Sequence, residues 1–204
     1  MKLAIIEGGG ANFLSVTTAL ERLGVKYDFT HDSGVIQAAD AVVLPGVGNA
    51  AFAMQVLQQY NLVNLIKNIT KPFLGICLGM QLLYQASEES TTDAITQCLG
   101  VIPGVIKKFV PTPELVVPHM GWNNLLEVKN DKVISGLGSG DNVYFVHSYY
   151  APINQATIAA CEYIDSFTAV AKYNNFYGMQ FHPEKSGVVG AKLLNNFLDI
   201  VNNH

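Results

Sequence analysis

Up to Gln85 the chain alternates short apolar runs with segments of helical period. Lys2 to Ile6 reads as a strand that opens into Glu7-Gly8-Gly9-Gly10-Ala11-Asn12. Phe13 to Leu23 then carries apolar positions at helical spacing and closes at Gly24, a C-cap residue. Val25 to Thr30 predicts a second strand, and Ala41 to Leu44 a third that stops at Pro45-Gly46-Val47-Gly48-Asn49. Helices are expected from Ala50 to Gln59 and from Asn61 to Ile69, after which Lys71-Pro72 leads into an apolar strand, Phe73 to Ile76. Strands and helices alternating at this spacing imply βαβ units, and hence a parallel sheet with helices on both faces.

The pattern then changes. Glu88 to Gln97 is polar and loop-like. Val105 to Val110, Leu125 to Val128, Val143 to His147, Thr157 to Tyr163, Ala169 to Tyr173 and Phe176 to Phe181 read as strands with short turns between them. They predict antiparallel additions to the sheet, finished by a helix from Val188 to Ile200. The expected fold class is α/β, with a mostly parallel central sheet flanked by helices and antiparallel additions in the C-terminal half. No internal repeat or low-complexity linker interrupts the pattern, so residues 1–204 are expected to form one domain.

Composition narrows the function classes. Half of the residues are hydrophobic and 14% are charged, against about a quarter charged in typical domains, which describes a core-rich globular chain. The net charge is −4 and the Lys and Arg residues are scattered, so nucleic acid is not expected as a ligand. Glu7 and the glycines after it cut off the apolar start, and no apolar stretch reaches bilayer length, so no membrane role and a cytoplasmic location are expected. Three cysteines, odd in number and far apart, suit reduced thiols. There is no CxxC or His/Cys cluster, and Gly8-Gly9-Gly10 lacks G-x-G-x-x-G spacing because position 13 is Phe; neither metal nor cofactor is expected.

The candidate chemistry centres on Cys77. In Gly75-Ile76-Cys77-Leu78-Gly79 the cysteine falls between an apolar strand and a helical pattern, the arrangement of a nucleophile elbow. Such a turn strains the nucleophile's backbone, which works only with small flanking residues, and the mouth of a helix favours the thiolate. Cys98 and Cys161 lack that frame and read as buried filler. A cysteine nucleophile needs a base and the base an orienting group. Of five histidines, His182 stands out: it ends an apolar strand in Phe181-His182-Pro183-Glu184, where an extended backbone puts His182 and Glu184 on one side. His147 and His119 lie in aromatic or proline-flanked contexts that fit packing equally well. The order Cys, His, Glu differs from the α/β-hydrolases, in which the acid precedes the histidine. Oxyanion donors are expected from Gly46, Val47 and Gly48 after the third strand, with the Leu78 amide as the second donor.

Pro45-Gly-Val-Gly48, Gly75-Ile-Cys-Leu-Gly-Met-Gln81 and His182-Pro-Glu184, in this order and spacing, resemble the class I glutamine amidotransferases, and the resemblance covers nearly the whole chain. It implies a flavodoxin-like fold, Cys77 as nucleophile toward the glutamine side-chain amide, His182 as general acid and base, Glu184 as its orienting carboxylate, and Gln81 in contact with bound glutamine. Within the family, His119-Met-Gly-Trp-Asn123 and Tyr144-Phe-Val-His-Ser-Tyr149 resemble the glutaminase branch that serves imidazole glycerol phosphate synthases of histidine biosynthesis. That resemblance implies ammonia delivery to a heterodimer partner, a separate (β/α)8-barrel synthase subunit, expected to be another polypeptide because no barrel follows His204. Asn12, Trp122, Tyr144 and Lys185 would then lie at or near the interface, although core packing explains the two aromatics equally well. Glu7 to Gly10 depart from the branch's usual tyrosine-containing loop. A glutaminase of pyridoxal phosphate synthesis and a non-catalytic binding module share the frame; His119 to Asn123 disfavours the first, and an intact Cys77, His182 and Glu184 the second.

Overall fold

The computed structural model describes residues 1–7, 13–91 and 94–204. The chain runs β1 (Lys2–Ile5), α1 (Phe13–Arg22), β2 (Lys26–Phe29), α2 (Ser33–Ala38), β3 (Ala41–Gly46), α3 (Ala50–Gln59), α4 (Leu62–Lys67), β4 (Phe73–Cys77) and α5 (Leu78–Leu82). It continues through β5 (Tyr84–Ser87), β6 (Thr96–Gln97), β7 (Ile102–Lys108), β8 (His119–Asn124), β9 (Asn142–His147), β10 (Tyr149–Tyr150), β11 (Thr157–Glu162), β12 (Ser166–Tyr173), β13 (Phe176–Met179) and α6 (Gly187–Asn202).

The central sheet has the order β11-β12-β13-β4-β3-β1-β2, with β13, β4, β3, β1 and β2 mutually parallel and β11 and β12 antiparallel at one edge. The unbroken apolar runs that predicted β1, β3 and β4 have their reason here, because both faces are covered. Leu3, Ile5, Val43, Leu74 and Ile76 pack with Leu20 of α1 and Leu193 and Phe197 of α6. Their neighbours Ala4, Ile6, Val42, Leu44 and Phe73 face the opposite way, onto Ile36 of α2, Leu57 of α3 and Ile66 of α4. The mostly parallel α/β sheet expected from the sequence is thus present, with β11 and β12 as antiparallel additions. Phe176 to Phe181, expected as another addition, instead gives β13, which reverses from β12 and so runs parallel to β4 as a strand of the central parallel set.

Not every C-terminal strand joins that sheet. β10, β7, β5 and β6 form a separate four-stranded sheet, and β8 and β9 pair as a two-stranded ribbon. The helix after Cys77 ends at Leu82 rather than running on to Gln85, since Tyr84 and Ala86 turn inward while Gln85 is exposed, the alternation of a strand. The segment expected as a strand from Leu125 to Val128 makes only the single bridge Leu126 to Ala160. The strand of that region is the polar β8, held by its register with β9 from His119↔His147 to Asn124↔Asn142. α2 was signalled by Asp32, whose Oδ1 accepts from the amides of Gly34 and Val35 as an N-cap. The C-terminal ends of β3, β4 and β13 converge on one edge, where open α/β sheets place their ligands.

Candidate active site

Cys77 ends β4 and precedes α5 with φ 53° and ψ −110°, a backbone conformation rarely adopted by L-residues that costs about 1–3 kcal/mol. The two glycines around it are sterically required. A Cβ on Gly75 would lie 2.6 Å from the Gly79 carbonyl oxygen, and one on Gly79 only 1.7 Å from the carbonyl oxygen of Leu44 in β3. The elbow therefore exists because β3, β4 and α5 approach to backbone contact. α5 is five residues long, so its dipole offers less than a full helix would, and the groups facing the sulfur matter more.

His182 faces the sulfur. Its backbone is tied down by a bond from its own N–H to the Tyr144 carbonyl (2.9 Å) and one from Ser186 Oγ to its carbonyl (2.7 Å). Nδ1 lies 2.8 Å from Glu184 Oε1, so the carboxylate fixes the proton on Nδ1 and leaves the other ring nitrogen free for Cys77, with which His182 shares the cavity wall. The Glu184 side chain is 1% exposed, and its second oxygen is buried without a hydrogen-bond partner among the described residues. Burial disfavours charge on the imidazole, but the interactions with Cys77 and then Glu184 outweigh it and hold the His182 pKa at about 10. A folded-state pKa raised from 6.5 means that the ring's contribution to stability is complete below about pH 6.5 and is lost as pH climbs through about 10. Thermal unfolding measured across that window should show Glu184→Gln losing less stability with rising pH than the parent; an identical slope would mean that this pair does not hold the proton.

Cys77 opens into a cavity of about 350 Å³ lined in part by Val47, Gly48, Leu78, Gln81, Glu89, Tyr149, His182 and Lys185, a size suited to a small ligand. Val47, Gly48, Leu78 and Gln81, all expected from the sequence, thus meet Cys77 and His182. Gly46 does not line that cavity. Pro45 and Gly46 still pair with Ile76 and Cys77 as part of β3, so the loop proper begins at Val47, and Gly46 backs the elbow, where an added Cβ would meet the Leu78 Cβ at 3.1 Å. Trp122 is 57% exposed and packs edge-on against the half-buried Tyr144, centroids 5.9 Å apart. Neither is a core aromatic. Lys185 is exposed at the mouth of the cavity. Asn12 and Gly8 to Gly10 lie outside the described residues.

Sequence reasoning did not single out Glu89 or Gln180. The Glu89 carboxylate lines the cavity and accepts from the Ala50 amide at 2.7 Å, and burial raises its pKa against that bond. The fully buried Gln180 reaches Cys77 Sγ from Nε2 at 3.9 Å. Its position between Met179 and Phe181 in an otherwise apolar strand was the available signal. Cys98 and Cys161 are free thiols pushed up to about 12, chiefly by burial, which suits the filler role expected of them. Among the described residues no group of His, Cys, Asp and Glu is arranged to hold a metal ion, and no helix is long and apolar enough to cross a membrane.

The family model for class-I glutamine amidotransferases matches residues 5–201. The imidazole glycerol phosphate synthase subunit HisH 2 of Legionella pneumophila (strain Paris) is 50% identical over 198 residues, 97% of this chain and 98% of that protein. Its counterpart HisH 1 of Vibrio vulnificus (strain YJ016) is 45% identical over 201 residues, 98% of each chain. Among solved structures, a glutamine amidotransferase from Thermotoga maritima superposes with a TM-score of 0.63 at 15% identity, covering 100% of this chain and 84% of that one, a likeness of fold. A strained Cys77 beside His182 and Glu184 on this sheet thus has full-length relatives: the chain belongs to the class-I glutamine amidotransferase family, among its HisH subunits.

Proposed function

We propose that this chain is the glutaminase subunit of an imidazole glycerol phosphate synthase, acting as one domain in the cytoplasm and supplying ammonia for histidine biosynthesis. The observation that carries the proposal is the Cys77, His182 and Glu184 constellation at one end of a cavity of ligand size. The Cys77 thiolate attacks the side-chain amide carbon of glutamine, and the resulting oxyanion takes backbone N–H donors from Leu78 and the Val47–Gly48 loop. The His182 imidazolium protonates the departing nitrogen, which leaves as ammonia. A glutamyl thioester remains. Neutral His182 then takes a proton from water as the water attacks the thioester, and glutamate leaves as the thiolate re-forms. Glu184 holds the imidazole in the tautomer that both steps require. Glu89, which lines the same cavity, suits the α-ammonium of glutamine, and Gln81 completes the contacts to the substrate.

The partner that uses the ammonia is a (β/α)8-barrel synthase subunit, bound as a heterodimer. An exposed apolar surface is available to it. Leu14, Met120, Trp122 and Val188 are between 57% and 87% exposed. Trp122 stands 3.9 Å from where a Gly187 Cβ would lie, next to Val188, so part of this surface is continuous. Gly187 and Val188 directly follow the turn bearing His182 and Lys185, so this part of the surface adjoins the site, as delivery of ammonia without loss to water requires.

Ammonia release from glutamine, measured for the chain alone and with the barrel protein plus its nucleotide substrate, tests this reading. The isolated chain is expected to be a poor glutaminase, with turnover rising by about two orders of magnitude or more in the loaded complex, the scale on which completing an oxyanion hole acts. Equal turnover with and without the partner would overturn it.

A further inference from the structure

His119 and His147 form a buried pair that the chemistry above does not use. His119 Nδ1 lies 2.9 Å from His147 Nε2, and His147 Nδ1 lies 2.8 Å from the Tyr149 carbonyl oxygen. A carbonyl only accepts, so His147 carries its proton on Nδ1, and its Nε2 must accept from His119 Nδ1. His119 Nε2 is then an acceptor too, and Asn123 Nδ2 faces it at 3.3 Å while also donating to the Glu162 carbonyl at 2.9 Å. Burial keeps both rings neutral, as this chain of donors demands, lowering His119 to about 4 and His147 to about 3. Stacking on Phe145 and Tyr163 fixes the plane of His119. Every proton in the row points one way, from β8 toward the cavity.

The Tyr149 carbonyl also accepts from Gln81 Nε2 at 2.8 Å, and the second proton of that nitrogen goes to Gln180 Oε1 at 2.9 Å. Gln180 in turn presents Nε2 to Cys77 Sγ. With both protons of its nitrogen engaged, Gln81 has only Oε1 left for a ligand, and that oxygen can only accept. The orientation of the Gln81 amide therefore depends on a carbonyl that His147 holds in place.

We propose that His147, backed by His119 and Asn123, is a positioning residue for glutamine hydrolysis: it locks the Tyr149 carbonyl and thereby sets the Gln81 amide with Oε1 toward a hydrogen-bond donor of the substrate. The inference rests on the reading of the cavity as the glutamine site. Because the row acts on bound substrate and on the transition state alike, it governs KM more than kcat.

Steady-state glutaminase kinetics of the full chain assembled with its synthase partner separate these terms. His147→Phe keeps the aromatic packing but no ring nitrogen, and is expected to raise KM for glutamine about tenfold, the value of one well-made buried hydrogen bond, with kcat within about threefold. His147→Asn, whose Nδ2 can take the place of Nδ1 as donor to Tyr149, should recover most of that loss. Unchanged KM in His147→Phe, or an equal rise in both variants, would overturn the proposal in favour of ring packing. Nitrogen-15 spectra of histidine-labelled parent protein give a readout independent of any variant: His147 is expected as the Nδ1–H tautomer, and the Nε2–H tautomer would sink the proposal. A parent complex that releases no ammonia from glutamine would instead refute the glutaminase reading, leaving the tautomer measurement to judge the relay.

Discussion

Cys77→Ala abolishes glutamine hydrolysis, with kcat/KM falling by about 10⁴-fold or more, the scale of losing a nucleophile whose partners act as a unit. The size of the loss follows from the absence of a second route. Without the sulfur there is no thioester, and His182 at the cavity wall would have to activate water against an unactivated amide. The fold survives, because the substitution removes one atom from a site already tight and leaves a small side chain at the same positive φ of 53°. The expected stability cost is about 1 kcal/mol, that of a small buried truncation. A subtler consequence concerns His182. Of the two partners that raise its pKa against burial, Cys77 is the larger, so in Cys77→Ala the ring sheds its proton at lower pH and the alkaline loss of stability begins earlier and is smaller. Ammonia release and thermal unfolding across pH check both halves. Hydrolysis persisting in a folded Cys77→Ala protein would rule out the nucleophile assignment.

How far the site was legible depended on whether its residues carry local constraints. Gly75 and Gly79 were readable because the elbow's steric demand is written within two positions on each side of Cys77. His182 and Glu184 were readable because two residues of extended chain put both side chains on one side. Glu89 could not be read that way: its role comes from the 39 positions that separate it from the Ala50 amide. Gln180 meets Cys77 across 103 positions. The His119 and His147 pair is set by the register of β8 on β9, and β8 itself escaped notice because its side chains include few of the apolar residues that mark a strand. The inner parallel strands β1, β3 and β4, by contrast, were legible, since burial on both faces demands the uninterrupted apolar runs seen at Leu3 to Ile6 and Phe73 to Ile76, whereas the parallel pairing of β13 with β4 was not, because it is set by partners about 100 positions apart. Where a strand has one wet face or belongs to a short ribbon, that demand is absent, and the division of the C-terminal strands among three sheets left no trace in the pattern.

Gly79→Ala is expected to cost the protein more than about 4 kcal/mol, a loss in the exceptional class for a single substitution. Two effects oppose each other at this position. Gly79 lies in α5, where alanine favours the helix over glycine by about 1 kcal/mol. Against that, the new methyl would sit 1.7 Å from the Leu44 carbonyl oxygen and 2.8 Å from its carbon. Both atoms are backbone of β3, which is held between β4 and β1 in the middle of the central sheet, so no side chain can swing aside and the clash wins. Gly178→Ala provides the contrast, because its methyl would meet the Met80 side chain at 2.6 Å, and a flexible thioether chain can yield. Gly138→Ala, with nothing within 4 Å of the added atom, should change stability by less than about 0.5 kcal/mol. In thermal unfolding, with about 2–4 °C per kcal/mol for a chain of this size, Gly79→Ala should lower Tm by more than about 8 °C or prevent folding altogether, Gly178→Ala should fall between, and Gly138→Ala should match the parent. Equal Tm values for Gly79→Ala and Gly138→Ala would show that α5 and β3 do not meet as closely as the nucleophile elbow requires.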